Sequence, residues 1–206
     1  MQDLDKALAD ISAMRIQMAR GAEFRGYGPA TLAATGMLAL LAAGAQALWL
    51  ADPASNIGAY LALWLATAAI SAAVIYAEMV ARSRRVHSDL ADEMIHSAVT
   101  QFLPSAVAAT LLTVVLMRFA PECLWMLPGL WQIVFSLGVF AACHMLPRPM
   151  LAAGAWYLAT GLACLALARD AHAFSPWAMG VPFGLGQMFV AAVLRTCLQG
   201  EEAEHG

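Results

Sequence analysis

Charge is what this 206-residue chain has least of: Asp, Glu, Lys and Arg together make up 12% of it, against about 25% in an ordinary soluble domain. None of its fourteen acidic residues falls in the middle of an apolar segment, and the deepest is Glu78, near the end of one. A charge at the bilayer centre costs at least about 2.5 kcal/mol, so those that occur there usually mark ion or proton pathways. Their lack argues against ion-coupled or proton-coupled transport. Cysteine is sparse as well: Cys123, Cys143, Cys164 and Cys197 are scattered and form no disulfide framework. No GxSxG motif occurs and no Ser or Cys has a base at a readable spacing, which excludes the usual signatures of nucleophilic catalysis. With a net charge of -3 and no basic patch interleaved with aromatics, nothing points to nucleic acid. The chain reads as non-enzymatic, with no cofactor expected.

Apolar residues, by contrast, make up 62%, where a soluble domain has about 45 to 50%. They gather in six segments, approximately 29–50, 57–78, 101–120, 124–145, 150–168 and 174–197, each near the ~20 residues that carry a helix across the hydrocarbon core. Polar or turn-forming stretches separate them: ADPASN, ARSRRVHSDLADEMIHS, APEC, LPRP and RDAHAFS. The fold class expected is an all-α integral membrane protein, six transmembrane helices in a compact bundle, preceded by an N-terminal amphipathic helix. Residues 1–28 form that helix and a linker, 29–198 the membrane domain, 81–100 a cytoplasmic helical connection and 199–206 an acidic tail. The start MQDLDKALADISAMRIQMAR is polar, mixed in charge and helical in period, unlike a signal peptide.

Basic residues favour the cytoplasmic side. With the N-terminus inside, Lys6, Arg15, Arg20, Arg25, Arg82, Arg84, Arg85, Arg148 and Arg195 all lie inside, and only Arg118 and Arg169 outside. The expected location is a bacterial cytoplasmic membrane with both termini cytoplasmic.

The odd-numbered segments begin alike, with PATLAATG from Pro29, PSAVAATL from Pro104 and PMLAAGAW from Pro149. Pro is accommodated in a first turn, where its missing N–H had no intrahelical partner. Segments 4 and 6 share an order of Pro128, Gln132, Cys143 and Pro182, Gln187, Cys197. Three repeated hairpins follow as one reading, shared Ala-rich composition as the other. Small residues at four-residue spacing suggest contact faces: Ala69, Ala73 and Ala77; Ser105, Ala109 and Thr113; Ala155, Ala159 and Ala163; and the GxxxG of Gly180 and Gly184. The GxxxG suits either a contact within the bundle or a homo-oligomer face.

Two motifs bear on metals. EMIH, Glu93 to His96, has the Glu-x-x-His spacing of di-iron bundles, but such a site needs two of these motifs plus two further carboxylates. The other match, Glu202 to His205, lies in a polar tail. Arg85, Asp89, Asp92, Glu93 and His96 share one side of a helix, so a salt-bridged polar face is expected there. At CHMLPRPM, the soft donors Cys143, His144, Met145 and Met150, with Cys197, are weak candidates for Cu(I). Cys and Met also fill irregular apolar gaps, and no metal is expected.

Partner signals are clearer. Leu4, Leu8, Ile11, Met14 and Met18 make an apolar stripe opposite Asp3, Asp10 and Gln17, fit to lie on the lipid bilayer or to dock a cytoplasmic protein. A ligand pocket, if the bundle has one, is expected in its outer half. There Trp64, Trp131 and Phe183 lie deeper than the interfacial Trp49, Trp125 and Trp177. Gln46, Gln132 and Gln187 would supply the polar contacts among those aromatic walls. The function expected is a non-enzymatic sensor, scaffold or docking partner. The alternative is a passive carrier or channel for a small neutral or apolar solute, and a membrane metal or redox protein comes third.

Overall fold

A computed structural model describes residues 28–86, 89–142, 150–168 and 172–205, with their side chains in 28–81, 100–142, 150–168 and 172–196. Every regular element among them is a helix: α1 Pro29–Trp49, α2 Ile57–Val86, α3 Asp89–Phe119, a 3₁₀ turn Pro121–Met126, α4 Leu127–Ala142, α5 Met150–Leu167 and α6 Pro176–His205. Six stretches are long and apolar enough to cross a membrane: Pro29–Trp49, Ile57–Ala81, Thr100–Phe119, Pro121–Ala142, Met150–Leu167 and Pro176–Thr196. The protein is thus an all-helical, six-span membrane protein with compact packing, as its composition predicts. The fourth span starts at Pro121, earlier than the apolar run alone suggests, because the 3₁₀ turn feeds directly into α4. The acidic end is also helical, since α6 runs on to His205. Glu and Ala are good helix formers, and Gly200 alone does not stop a helix already propagating.

Local chemistry sets the helix starts. Pro29 occupies the first turn of α1, and the Gly28 N–H donates to Glu78 Oε2 at 3.2 Å. The deepest carboxylate of the chain therefore sits at a helix N-terminus, where the backbone N–H groups and the dipole favour negative charge. In ADPASN, Asp52 Oδ1 accepts from the N–H groups of Ala54 and Ser55, and Asn56 Oδ1 accepts from the Ala59 N–H to open α2.

Contacts run cyclically from α1 to α2, α3, α4, α5, α6 and back to α1. Neighbours are antiparallel: Gly28 meets Glu78 and Gln46 meets Trp64 across α1 and α2, while Gly129 faces Gly161 and Phe140 faces Gly154 across α4 and α5. Each hairpin touches the next through its second helix: α2 on α3, α4 on α5 and α6 on α1. The α1–α6 and α4–α5 contacts are extensive; α2–α3 is the sparsest between neighbours among the described residues.

Glycines make the two close crossings possible. At α4–α5, a Cβ on Gly161 would come 2.8 Å from the Gly129 carbonyl oxygen, and one on Gly129 would come 2.8 Å from that of Gly161. At α1–α6, a Cβ on Gly36 would stand 2.9 Å from the Gly184 carbonyl, and one on Gly180 would collide with Ala43. The GxxxG of Gly180 and Gly184 is thus used within the chain, against α1. Backbones this close gain dispersion contact, the main packing force available in lipid.

Two of the predicted small-residue stripes need correction. Ala155, Ala159 and Ala163 are exposed, and so are Ala69, Ala73 and Ala77. The buried face of α5 is instead Met150, Ala153, Gly154, Tyr157 and Gly161. The spacing rule is the same on both faces of an Ala-rich helix, and the larger Tyr157, which buries more area, selects the inward one. The α3 stripe does face inward: Ser105 and Ala109 are half-buried and Thr113 is buried, with Ser105 and Phe102 against Gly138 of α4.

Candidate functional site

The interior of the bundle is built from two apolar clusters. One joins Ala42, Ala43, Tyr60, Leu61, Trp64, Leu127, Trp131 and Met179; the other, at the opposite ends of the helices, joins Leu32, Val139, Met150, Ala153, Val190, Ala191 and Leu194. Between them runs a string of rings: Phe102 to Phe135 at 5.9 Å, Phe135 to Tyr157 at 4.8 Å and to Phe183 at 5.4 Å, and Tyr157 to Phe183 at 5.2 Å. The edge-on and tilted arrangements are those that aromatic quadrupoles favour.

Buried indoles and amides are tied by directional bonds. Trp64 Nε1 donates to Gln46 Oε1 at 2.8 Å, and Gln46 Nε2 donates to the Phe174 carbonyl at 2.7 Å. Gln46 thereby braces α1, α2 and the turn before α6. Trp131 Nε1 donates to Thr113 Oγ1 at 2.9 Å, and Thr113 itself donates to the Ala109 carbonyl. Gln46 to Trp64 and Thr113 to Trp131 are both separations of eighteen residues, so the first two hairpins repeat one brace. In the third hairpin, Trp156 Nε1 donates to the Pro182 carbonyl at 3.0 Å.

The break at Pro182 has a second partner. Proline lacks the N–H that would have bonded Ala178 one turn back, and Gln132 Nε2 takes that carbonyl at 2.9 Å while also donating to Pro128 O at 3.0 Å. In lipid that carbonyl has to be satisfied from within the protein.

Among the described residues three polar atoms are left over. Tyr60 OH, Tyr157 OH and Gln132 Oε1 are buried without a hydrogen-bond partner, and their residues are 0%, 1% and 0% exposed. A buried polar atom without a partner costs about 1–3 kcal/mol and calls for an explanation. Tyr60 packs edge-on to Phe174 at 5.0 Å. On α5, Gly161 lies against Gln132 Cβ at 3.1 Å. Tyr60 belongs to the cluster of Leu127 and Met179, and Gln132 bonds the Ala178 carbonyl next to Met179. Tyr157 OH points deeper, toward Gly186, where a Cβ would collide with it.

Of the residues proposed to line a pocket, Trp64 and Trp131 face inward at 4% and 9% exposure, and Phe183 joins the ring string. Gln46 is fully engaged as a brace. Gln132 keeps one oxygen unpaired. Gln187 belongs elsewhere: half-buried, it sets its Cβ 3.1 Å from where Gly36 would carry one, at the α1–α6 crossing. It lies nine residues along α6 from Ala178, about 13 Å at 1.5 Å per residue, so the three amides do not converge. Tyr60 and Tyr157 were missed by the sequence reading. Their signal was a phenol placed inside an apolar helix, which must find a partner for its hydroxyl when buried.

Leu4, Leu8, Ile11, Met14 and Met18 lie outside the described residues, as do Cys143 and His144 and the side chains of Glu93, His96 and Cys197. Among the described residues no group of three or more His, Cys, Asp or Glu side chains is gathered that could hold a metal ion. Comparison with protein-family models, with curated proteins and with solved structures finds no match for this chain.

Proposed function

We propose that this protein is a non-enzymatic membrane sensor or scaffold, one whose bundle is coupled to a cytoplasmic partner through its N-terminal amphipathic segment and the 81–100 connection. One observation supports that reading over an open conduit: the middle of the bundle is filled by large buried side chains, Tyr60, Trp64, Leu127, Trp131 and Tyr157, cross-braced between helices. A channel needs a continuous polar or wide path, and these side chains occupy the region such a path would take. In this proposal the membrane is a bacterial cytoplasmic membrane with both termini inside, from the nine to two division of basic residues.

The test separates docking from transport. Deleting residues 2–20 is expected to leave a folded six-helix bundle in detergent and to abolish a stoichiometric soluble partner co-purified from native membranes. Proteoliposomes in osmotic shrink–swell assays with glycerol are expected to match protein-free vesicles. Glycerol flux well above that background, or a truncated chain that no longer folds, would overturn the sensor reading in favour of a carrier or of a purely structural N-terminus.

A further inference from the structure

We propose that the second half of α2, residues 68–81, is the movable part of the bundle, and that the contact of Glu78 with Gly28 is the latch that holds it against α1. The two halves of α2 are held very differently. Tyr60, Leu61, Trp64 and Thr67 in the first half are buried, and Trp64 is bonded to Gln46 of α1. From residue 68 to residue 81 only Met79 is buried. Helices in lipid are held together by close packing and by directional polar contacts, so a half that packs so little can leave its neighbours at small cost. The boundary falls at Thr67, whose Oγ1 donates to the Leu63 carbonyl at 2.8 Å, a side-chain bond of the kind that bends helices. The equally exposed α3 does not share this freedom. It is pinned on α4 at two levels, by Phe102 and Ser105 against Gly138 and by the bond from Trp131 to Thr113.

The latch is a carboxylate on a helix start. Glu78 Oε2 accepts from the Gly28 N–H at 3.2 Å, and Gly28 is the N-cap of α1, with no side chain of its own to cap it. The partial positive charge of that helix end favours the anion. Gly28 is also where the N-terminal segment joins α1, so a shift of the end of α2 is felt at the root of that segment. On the sensor reading proposed above, this contact is how a change in the bundle reaches the N-terminal segment; the latch itself does not depend on that reading.

Each partner of the latch can be tested separately. The backbone of Gly28, at φ −79° and ψ 127°, is open to any residue, but a Cβ there would collide with the Glu78 carboxylate. Gly28→Ala therefore displaces the latch without removing its charge or straining the chain. Glu78→Ala removes it from the other side, and Glu78→Gln keeps an acceptor oxygen but not the charge. Amide hydrogen exchange of the full chain in lipid nanodiscs, read by mass spectrometry, reports local opening. Gly28→Ala and Glu78→Ala are both expected to exchange at least fivefold faster than wild type over residues 28–33 and 75–81, with residues 57–67 and all of α4 and α5 unchanged. Glu78→Gln is expected to fall between them and wild type. Unchanged exchange in both Ala variants overturns the proposal, and so does a change in Glu78→Ala alone, which would mean that Gly28 is not the other half of the latch. Faster exchange that spreads into α4 and α5 overturns it as well, since the contact would then support the whole fold rather than one movable half-helix. The measurement needs no partner, so the latch can fail while the deletion of residues 2–20 still supports docking, and the reverse.

Discussion

Two tryptophans with the same donor and the same eighteen-residue reach differ in what they leave behind when removed. Trp64 is the donor that satisfies Gln46 Oε1, and Gln46 is 1% exposed, so Trp64→Phe strands an amide oxygen in the interior. Trp131 bonds Thr113, whose hydroxyl keeps its own bond to the Ala109 carbonyl. Both substitutions shed the same volume, so the cavity cost largely cancels in the comparison. Trp64→Phe is then expected to destabilise the bundle by about 1–3 kcal/mol more than Trp131→Phe, the cost of a buried acceptor without a partner. Reversible unfolding in mixed micelles would check it, and equal losses would mean that Gln46 finds another donor. The residue scale is also where the sequence was hardest to read. Gln46, Gln132 and Gln187 look alike as amides in apolar segments, yet one is a brace, one caps a proline break and one lies at a helix crossing. Depth along a helix is visible from sequence, but the face a residue turns depends on which neighbour it meets.

At the scale of helices, glycine decides which pairs can approach. Gly36 and Gly161 each face a carbonyl oxygen of the opposing helix at 2.9 and 2.8 Å from a would-be Cβ, whereas Gly44 has nothing within 4 Å. A methyl group at either crossing has to push two backbones apart, and a backbone cannot swing aside as a side chain can. Gly36→Ala and Gly161→Ala are therefore expected to lower the melting temperature by several degrees, at a cost of about 1–3 kcal/mol for overpacking. Gly44→Ala should be neutral or gain up to about 1 kcal/mol, since Ala loses less backbone freedom in a helix. Thermal melts of the three variants in one detergent suffice; a Gly36→Ala protein as stable as Gly44→Ala would deny the close α1–α6 crossing. Element boundaries were legible because length and apolar content are set by the bilayer itself. Contact faces were legible only in part: Ser105, Ala109 and Thr113 turned inward, but Ala155, Ala159 and Ala163 turned outward, because an Ala-rich helix carries small residues on every side and Tyr157 settles the matter.

The whole molecule has a handle that single helices lack, namely which ends share a side. Antiparallel contacts fix this internally: the start of α1 lies beside Glu78 of α2, and the end of α1 lies beside Trp64, so the ends of α2, α4 and α6 stand level with the starts of α1, α3 and α5. One measurement at one loop then orients all six spans. Cys123, half-buried and free in the 3₁₀ turn between α3 and α4, belongs to the opposite end from the last turns of α6, which carry Cys197. On the proposed topology nine of the eleven basic residues fall on the side of Cys143 and Cys197, and because Lys and Arg favour the cytoplasm the proposal makes that side the inner one. Single-cysteine chains treated in intact cells with a membrane-impermeant maleimide are expected to label at Cys123, partially because it is half-buried, and not at Cys143 or Cys197. Permeabilised cells should give the converse gain at Cys197. Cys164 lies within the α5 span, where a water-borne reagent meets little thiolate, and serves as the unreactive control. Labelling of Cys197 from outside would invert the molecule, place the amphipathic N-terminal segment beyond reach of any cytoplasmic protein, and so remove the docking half of the proposed function.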